Sequence, residues 1–314
     1  MHYRHVPVMV KEVIHYLDCT PGKTYVDGTL GGGGHAKAIL QHIEPRGFLV
    51  GLDKDPDAIA CAQELLGEFA SHFRLFNDDF ASIPQILAKT FGRGVDGILL
   101  DLGLSLYQLE GSGRGFSFKR DELLDMRMNP KQEITAWHIV NQFRQDRLAK
   151  IISDYGEEPW AKRIARSIVD ARREKPIESS LALAEIVKSA IPAKHRPRRI
   201  HPATRAFQAI RIAVNDELNS IKKFLDAVPE LLNPYGRLCV ISFHSLEDRI
   251  VKQGFKQMAN PCRCPPDFPV CMCDKKPQVR ILTKKPVRPD ATAVKANPMA
   301  RSAKLRAVEK LPGV

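Results

Sequence analysis

The sequence predicts an α/β fold, an open and mostly parallel sheet with a mainly helical domain inserted into it. Three observations lead there. Through about the first hundred residues, short apolar runs alternate with helix-periodic segments, as in βαβ units. Asp27 and four consecutive glycines, Gly31 to Gly34, stand at a strand-to-helix junction. From about Thr135 to Lys223 the strand signal gives way to helical spacing, and the βα pattern then returns.

Taken in order, KTYVDGT from Lys23 to Thr29 is a strand that runs into the glycine loop. HAKAILQHI, from His35 to Ile43, has the apolar spacing of an amphipathic helix. GFLVGLD, ending at Asp53, is the second strand. A helix follows from Asp57 to Phe69, with Pro56 near its first turn, where proline's fixed φ suits helix initiation. FRLFNDDF and GVDGILLDLGLS are the third and fourth strands. Gly111 to Pro130, rich in Gly, Arg and Asp, reads as an ordered loop. Beyond it Ile164, Ile168, Leu181, Ala184 and Ile210 fall at helical spacing. A helical pattern from Phe224 to Leu232 leads into the strand GRLCVISFH, and VRILTK and AKLRAVEKL are two late strands. The expected division is therefore a discontinuous domain of residues 1–110 and 216–314, interrupted by a helical domain over 111–215.

Charge narrows the partner. The net charge of +12 is uneven: Arg144 to Arg211 holds 16 Lys and Arg against 8 Asp and Glu, and Lys275 to Lys310 holds 11 against 2. Two basic blocks on a slightly acidic body suggest a polyanion; the alternative is a solvated, Arg-rich helical face. No apolar run approaches the ~20 residues needed to cross a bilayer. The first residues, MHYRHVPVMVKEVIHYL, break their apolar positions with charges, unlike a secretory signal. A cytoplasmic protein with no membrane partner is the expectation.

The glycine loop YVDGTLGGGGHA carries the chemistry. Glycine serves where a backbone turns sharply and approaches a ligand closely. Gly31, Gly33 and Ala36 also satisfy the dinucleotide pattern, so the glycines do not choose between NAD and S-adenosylmethionine. The surrounding acids do. Asp27 precedes the glycines, where a pyrophosphate would be repelled and a cationic sulfonium or amino group welcomed. Asp53 ends the second strand and can accept both hydroxyls of a ribose. Asp78, Asp79 and Phe80 follow the third strand, where an adenine edge and face would lie, and Asp101 ends the fourth. Acids at successive strand ends face the binding crevice of an open sheet. That array suits S-adenosylmethionine.

These strings are specific. DGTLGGGGH, LDKDP, GILLDLGLS, RGFSF, LDMRM, YGEEPWAKRIARSI, HPATRAFQAIRIAVNDEL and ISFHSLEDRIVK resemble the bacterial rRNA small-subunit methyltransferase H family, also called MraW, from His5 to Ala307. The resemblance implies a class I S-adenosylmethionine-dependent methyltransferase (Rossmann-like) fold with an inserted helical domain. It also implies N4 methylation of a decoding-centre cytidine in 16S rRNA, within the small ribosomal subunit. The family's cofactor residues carry over to Gly33, Gly34, His35, Asp53, Phe80, Asp101 and Gln108.

Amino-methyltransferases usually carry Asn, Asp or Ser followed by two prolines and an aromatic. Here the fourth strand ends Asp101-Leu102-Gly103-Leu104-Ser105, so the acid remains and the prolines do not. The choice of N4 therefore rests on the resemblance. Asp101 is the first candidate to accept the amine's N–H, with the Leu102 carbonyl beside it; Asn215 and His244 are further candidates, His244 reading equally well as a helix cap. A target base must leave its stack and rest on an aromatic, for which Tyr107, Phe116 and Phe118 are available, though each also reads as core. Arg114, Arg120 and Arg127 can hold phosphates.

Cys262, Cys264, Cys271 and Cys273 form two C-x-C pairs, which fit either zinc or thiols in a surface loop. Two other readings of the whole chain are an RNA-binding assembly factor without catalysis and an NAD-dependent dehydrogenase. The complete set of acidic strand ends disfavours both.

Overall fold

The structure, a computed structural model, describes residues 7–313 apart from 93, 198, 263, 265–271 and 274. The chain forms two compact units, Met1–Gly103 with Leu218–Val314, and Leu104–Glu217.

The first unit opens with α1 (Val10–Leu17), an amphipathic helix that buries Val13 and Leu17. Sequence reading did not single it out, because its eight residues give barely two turns of periodicity. Then come β1 (Thr24–Asp27), α2 (Gly34–Ile43), β2 (Phe48–Leu52), α3 (Pro56–Leu65), β3 (Phe73–Phe76), α4 (Ile83–Thr90) and β4 (Val95–Asp101). Asp55 caps α3 by accepting the Asp57 N–H at 3.1 Å, and Pro56 takes the first helical position, where no N–H is needed. The helix stops at Leu65, and a separate 3-10 turn covers Gly67–Phe69.

The second unit holds α5 (Leu106–Glu110), α6 (Ala136–Gln142), α7 (Gln145–Gly156), α8 (Ala161–Glu174), α9 (Ser180–Ala190) and α10 (Thr204–Asn215). Its core includes Ile164, Ile168, Leu183, Ala184, Phe207 and Ile210. The unit begins at Leu104, ahead of the expected residue 111, because Leu104 and Leu109 pack on this helical core.

The chain re-enters the first unit along α11 (Glu217–Leu231) and continues through β5 (Leu232–Ser242), α12 (Ser245–Ala259), β6 (Val279–Ile281), α13 (Ala291–Ala296) and β7 (Lys304–Lys310). The sheet order is β3-β2-β1-β4-β5-β7-β6. The first five strands are parallel; β7 runs antiparallel to both β5 and β6. Strands buried on both faces need continuous apolar runs, and Ile98 to Leu100 and Leu238 to Ile241 supply them. This is the class I methyltransferase fold. The chain winds outward from β1 to β3 and then returns to the other side of β1 with β4. An open sheet binds ligands outside the strand C-termini at such a reversal, here between β1 and β4. No helix among the described residues is long and apolar enough to cross a membrane.

Candidate functional site

Asp27 and Asp101 are the last residues of β1 and β4, the two strands that flank the reversal. Asp27 is fully buried; its Oδ1 accepts the Thr29 N–H at 3.1 Å, and its Oδ2 has no partner among the described residues. Asp101 Oδ1 is likewise buried without a partner among them, while Oδ2 lies 3.6 Å from His35 Nδ1. The Asp101 backbone N–H donates to the Thr29 hydroxyl. Burial pushes the Asp27 carboxyl up to about 7, with the Thr29 N–H opposing the rise and Asp53 adding to it. Burial likewise raises Asp101 well above the usual carboxylate range, helped by Asp27 and Glu247. Two buried, unpartnered carboxylate oxygens at adjacent strand ends are costly in isolation and are relieved by positive charge. The sulfonium and ammonium of S-adenosylmethionine fit that demand; a pyrophosphate does not.

Asp53 follows β2. Its Oδ2 accepts the Gly31 N–H at 2.8 Å and its Oδ1 the Asp55 N–H at 2.9 Å. A carboxylate has about four acceptor positions, so capacity remains for ribose hydroxyls. Burial lifts this carboxyl to about 6 against those two N–H bonds.

The glycine loop is shaped by close approach. Gly33 caps α2 at φ 79, and a Cβ there would stand 3.2 Å from that of Ala62. A Cβ on Gly34 would meet the Pro7 ring at 2.8 Å. His35, buried at the start of α2, lies with Nε2 at 2.8 Å from the Val8 carbonyl oxygen.

After β3, Asp79 and Phe80 are occupied in part by their neighbours. Asp79 caps the following 3-10 turn through Ala81, accepts the Ser220 hydroxyl at 2.8 Å and pairs with Lys54 at 2.6 Å. Phe80 is buried, edge-on to Phe224 at 5.9 Å between centroids, with Lys54 Nζ 5.9 Å from its ring centre. Asp78 is exposed and accepts the Asp79 N–H and the Ser82 hydroxyl.

His244 and Asn215 both contact backbone groups of their own units. His244 is the N-cap of α12, with Nδ1 facing the Glu247 N–H at 3.5 Å and Nε2 at 3.0 Å from Glu247 Oε1. Glu247 returns the bond by accepting the Phe243 and His244 N–H groups. Asn215 is buried in the other unit: Oδ1 accepts the Met128 N–H at 2.8 Å, and Nδ2 donates to the Met126 and Arg211 carbonyls. An amide bonded to three backbone groups clamps the loop around Met126 and Met128 to α10. Gln108, also in the second unit, completes a capping box with Ser105 at the start of α5.

The expected base platforms and phosphate contacts sort the same way. Phe116 is in the helical core, and Phe118 stacks on His201 at 4.5 Å and meets Phe207 edge-on. Tyr107 is half-buried. Arg114 donates to the Arg127 and Met128 carbonyls, Arg120 to the Glu110 carbonyl, and Arg127 grips Asp125 and the Pro130 and Gln132 carbonyls. These arginines staple the loop from Gly111 to Pro130.

Sequence reading passed over Glu247, Thr29 and Lys54. Glu247 had a readable signal, the N-cap-to-N3 spacing of His244-Ser245-Leu246-Glu247. Thr29 and Lys54 had none, because their partners Asp101 and Asp79 are distant in sequence.

Among the four clustered cysteines, Cys271 lies outside the described residues, and the Sγ atoms of Cys262, Cys264 and Cys273 lie within 4.8 Å of one another.

Comparison with known proteins is consistent across the chain. The sequence model of a family described as "MraW methylase family" matches residues 2–311. The chain is similar to proteins named "Ribosomal RNA small subunit methyltransferase H". That of Desulfosudis oleivorans is 51% identical over 312 residues, covering 99% of this chain and 100% of the relative. That of Geobacter sulfurreducens is 52% identical over 311 residues, again covering 99% and 100%. That of Halothermothrix orenii is 49% identical over 307 residues, covering 98% of each.

Proposed function

The chain belongs to the MraW methylase family, and from that premise we propose that it methylates the N4 amino group of a decoding-centre cytidine in 16S rRNA. S-adenosylmethionine is the methyl donor, and when bound it supplies an electrophilic methyl on a cationic sulfur. The observation that carries the reading is the pair of buried carboxylate oxygens, Asp27 Oδ2 and Asp101 Oδ1, that find no donor among the described residues on either side of the sheet's reversal.

The exocyclic amine of cytosine is a weak nucleophile, because its lone pair is delocalised into the ring. Asp101 accepts one N–H, aims the lone pair and stabilises the positive charge that develops on nitrogen, as a preorganised acceptor in a water-poor site does. The Leu102 carbonyl is the acceptor for the second N–H. Asp27 balances cofactor charge, Asp53 takes the ribose hydroxyls and Phe80 the adenine face. By family resemblance Gly33, Gly34, His35 and Gln108 complete the cofactor contacts. The helical unit, Leu104–Glu217, recognises the substrate, and its basic block holds rRNA phosphates within the small ribosomal subunit. The enzyme works in the cytoplasm.

The test is transfer of labelled methyl to small subunits, and separately to deproteinised 16S rRNA, both prepared from cells lacking the gene, followed by nucleoside mass spectrometry. The expected product is N4-methylcytidine at one position. Label on another base or another atom overturns the assignment.

A further inference from the structure

We propose that Cys262, Cys264 and Cys273 form a structural zinc site that fastens the segment between α12 and β6. Their Sγ atoms lie within 4.8 Å of one another. Zn–S bonds of ~2.3 Å at tetrahedral angles place sulfurs about 3.8 Å apart, so a small adjustment of three side chains completes the set. The Met272 N–H donates to Cys264 Sγ at 3.3 Å. Such N–H···S bonds are the outer support that thiolate ligands receive at metal sites, because they spread the sulfur's negative charge.

The base of the segment is pinned where the Gln278 N–H donates to the Met258 carbonyl at 2.9 Å. Between Ala259 and Val279 none of the described residues is buried. A metal organises such a stretch, since its binding energy becomes folding energy. Thiolates select zinc over magnesium or calcium, which take oxygen donors. Each thiol gives its proton to solvent as its sulfur binds, and a water or one further donor takes the fourth position on the metal.

The test uses the full chain, made without a histidine tag and kept under reductant. Elemental mass spectrometry is expected to find one zinc per chain that survives gel filtration. Replacing zinc with Co²⁺ gives the ultraviolet band of thiolate-to-metal charge transfer. Cys264→Ser and Cys273→Ser each lose the zinc on gel filtration. In competition with a chromophoric chelator they bind it at least ~100-fold more weakly, the upper range even for loss of an outer-shell partner. Both variants keep wild-type affinity for S-adenosylmethionine, which shows that they fold, while limited proteolysis within residues 260–278 accelerates. A wild-type chain that holds no zinc and gives no cobalt band overturns the site. So does a purified chain two hydrogens lighter at these cysteines, which makes them a disulfide. Zinc retained by both variants overturns it as well, because the metal then sits elsewhere.

Discussion

His35 Nδ1 lies 3.6 Å from Asp101 Oδ2, while Nε2 of the same ring lies 2.8 Å from the Val8 carbonyl oxygen. A carbonyl only accepts, so Nε2 carries the hydrogen, and a neutral ring turns its Nδ1 lone pair toward Asp101. That contact is attractive when one proton is shared between the two side chains. Burial, with Asp27 and Glu247 nearby, raises the Asp101 carboxyl well above the usual carboxylate range. A cation at the strand end opposes that rise.

The first prediction follows for Asp101→Asn, which keeps the shape and removes the charge. Turnover falls by at least about a hundredfold, the scale of one preorganised electrostatic contact. Binding to small subunits is nearly unchanged. Single-turnover methylation with saturating cofactor is the measurement, and a rate near wild type removes Asp101 from the chemistry. A loss confined to cofactor affinity assigns it to the cofactor instead.

Asp27 makes stability and cofactor binding depend on pH in opposite directions. Its folded carboxyl titrates at about 7, above the ordinary 3.8. Between those values the native state holds a proton that the unfolded chain has released, so stability of the cofactor-free protein falls as pH rises from roughly 4 to 7. The total is on the order of 4 kcal/mol. The cofactor prefers the ionised form, so its affinity rises through the same window and levels off above it. Denaturant melts and calorimetry across pH check both. An Asp27→Asn protein with the wild-type pH slope refutes the assignment.

Asp53→Ala weakens S-adenosylmethionine binding by roughly 1.5–3 kcal/mol, the worth of hydrogen bonds to a charged group. The substitution also frees the Gly31 and Asp55 N–H groups, so part of the loss is in the loop. Comparing S-adenosylmethionine with its 2′-deoxy analogue in calorimetry separates the two. The wild type distinguishes the analogues, and the variant does not.

Asn215→Ala tests the clamp. Three backbone groups, one buried and two partly buried, lose their partner, which costs about 3 kcal/mol of stability. Thermal unfolding shifts down, while cofactor affinity at low temperature stays at wild type. A variant with unchanged stability and abolished turnover returns Asn215 to the candidate chemistry.

Lys194 and Arg199 are exposed on the basic stretch before α10, whereas Arg196 donates to the Ile191 carbonyl. Replacing Lys194 and Arg199 with Gln weakens RNA binding and lowers the slope of log affinity against log salt by roughly 1.4–1.8, two phosphate contacts' worth. Cofactor affinity is unaffected. An unaltered slope means that these are solvated surface charges.

The sequence alone determined the sheet, the inserted helices and the row of acids. Each follows from local physics: strand and helix periodicities differ, glycines mark a close turn, and a carboxylate ending an apolar strand faces the crevice. Only the tertiary structure divided the candidates by role. Asp27 and Asp101 keep unpartnered oxygens because β1 and β4 flank the reversal of the winding. Asn215 and Arg127 resembled site residues in one dimension, yet their side chains close on backbone groups of the insertion. A side chain's partners come from segments distant in sequence, as the Asn215–Met128 bond does. Periodicity and spacing report only what a residue's own neighbours favour, so that choice is settled by packing.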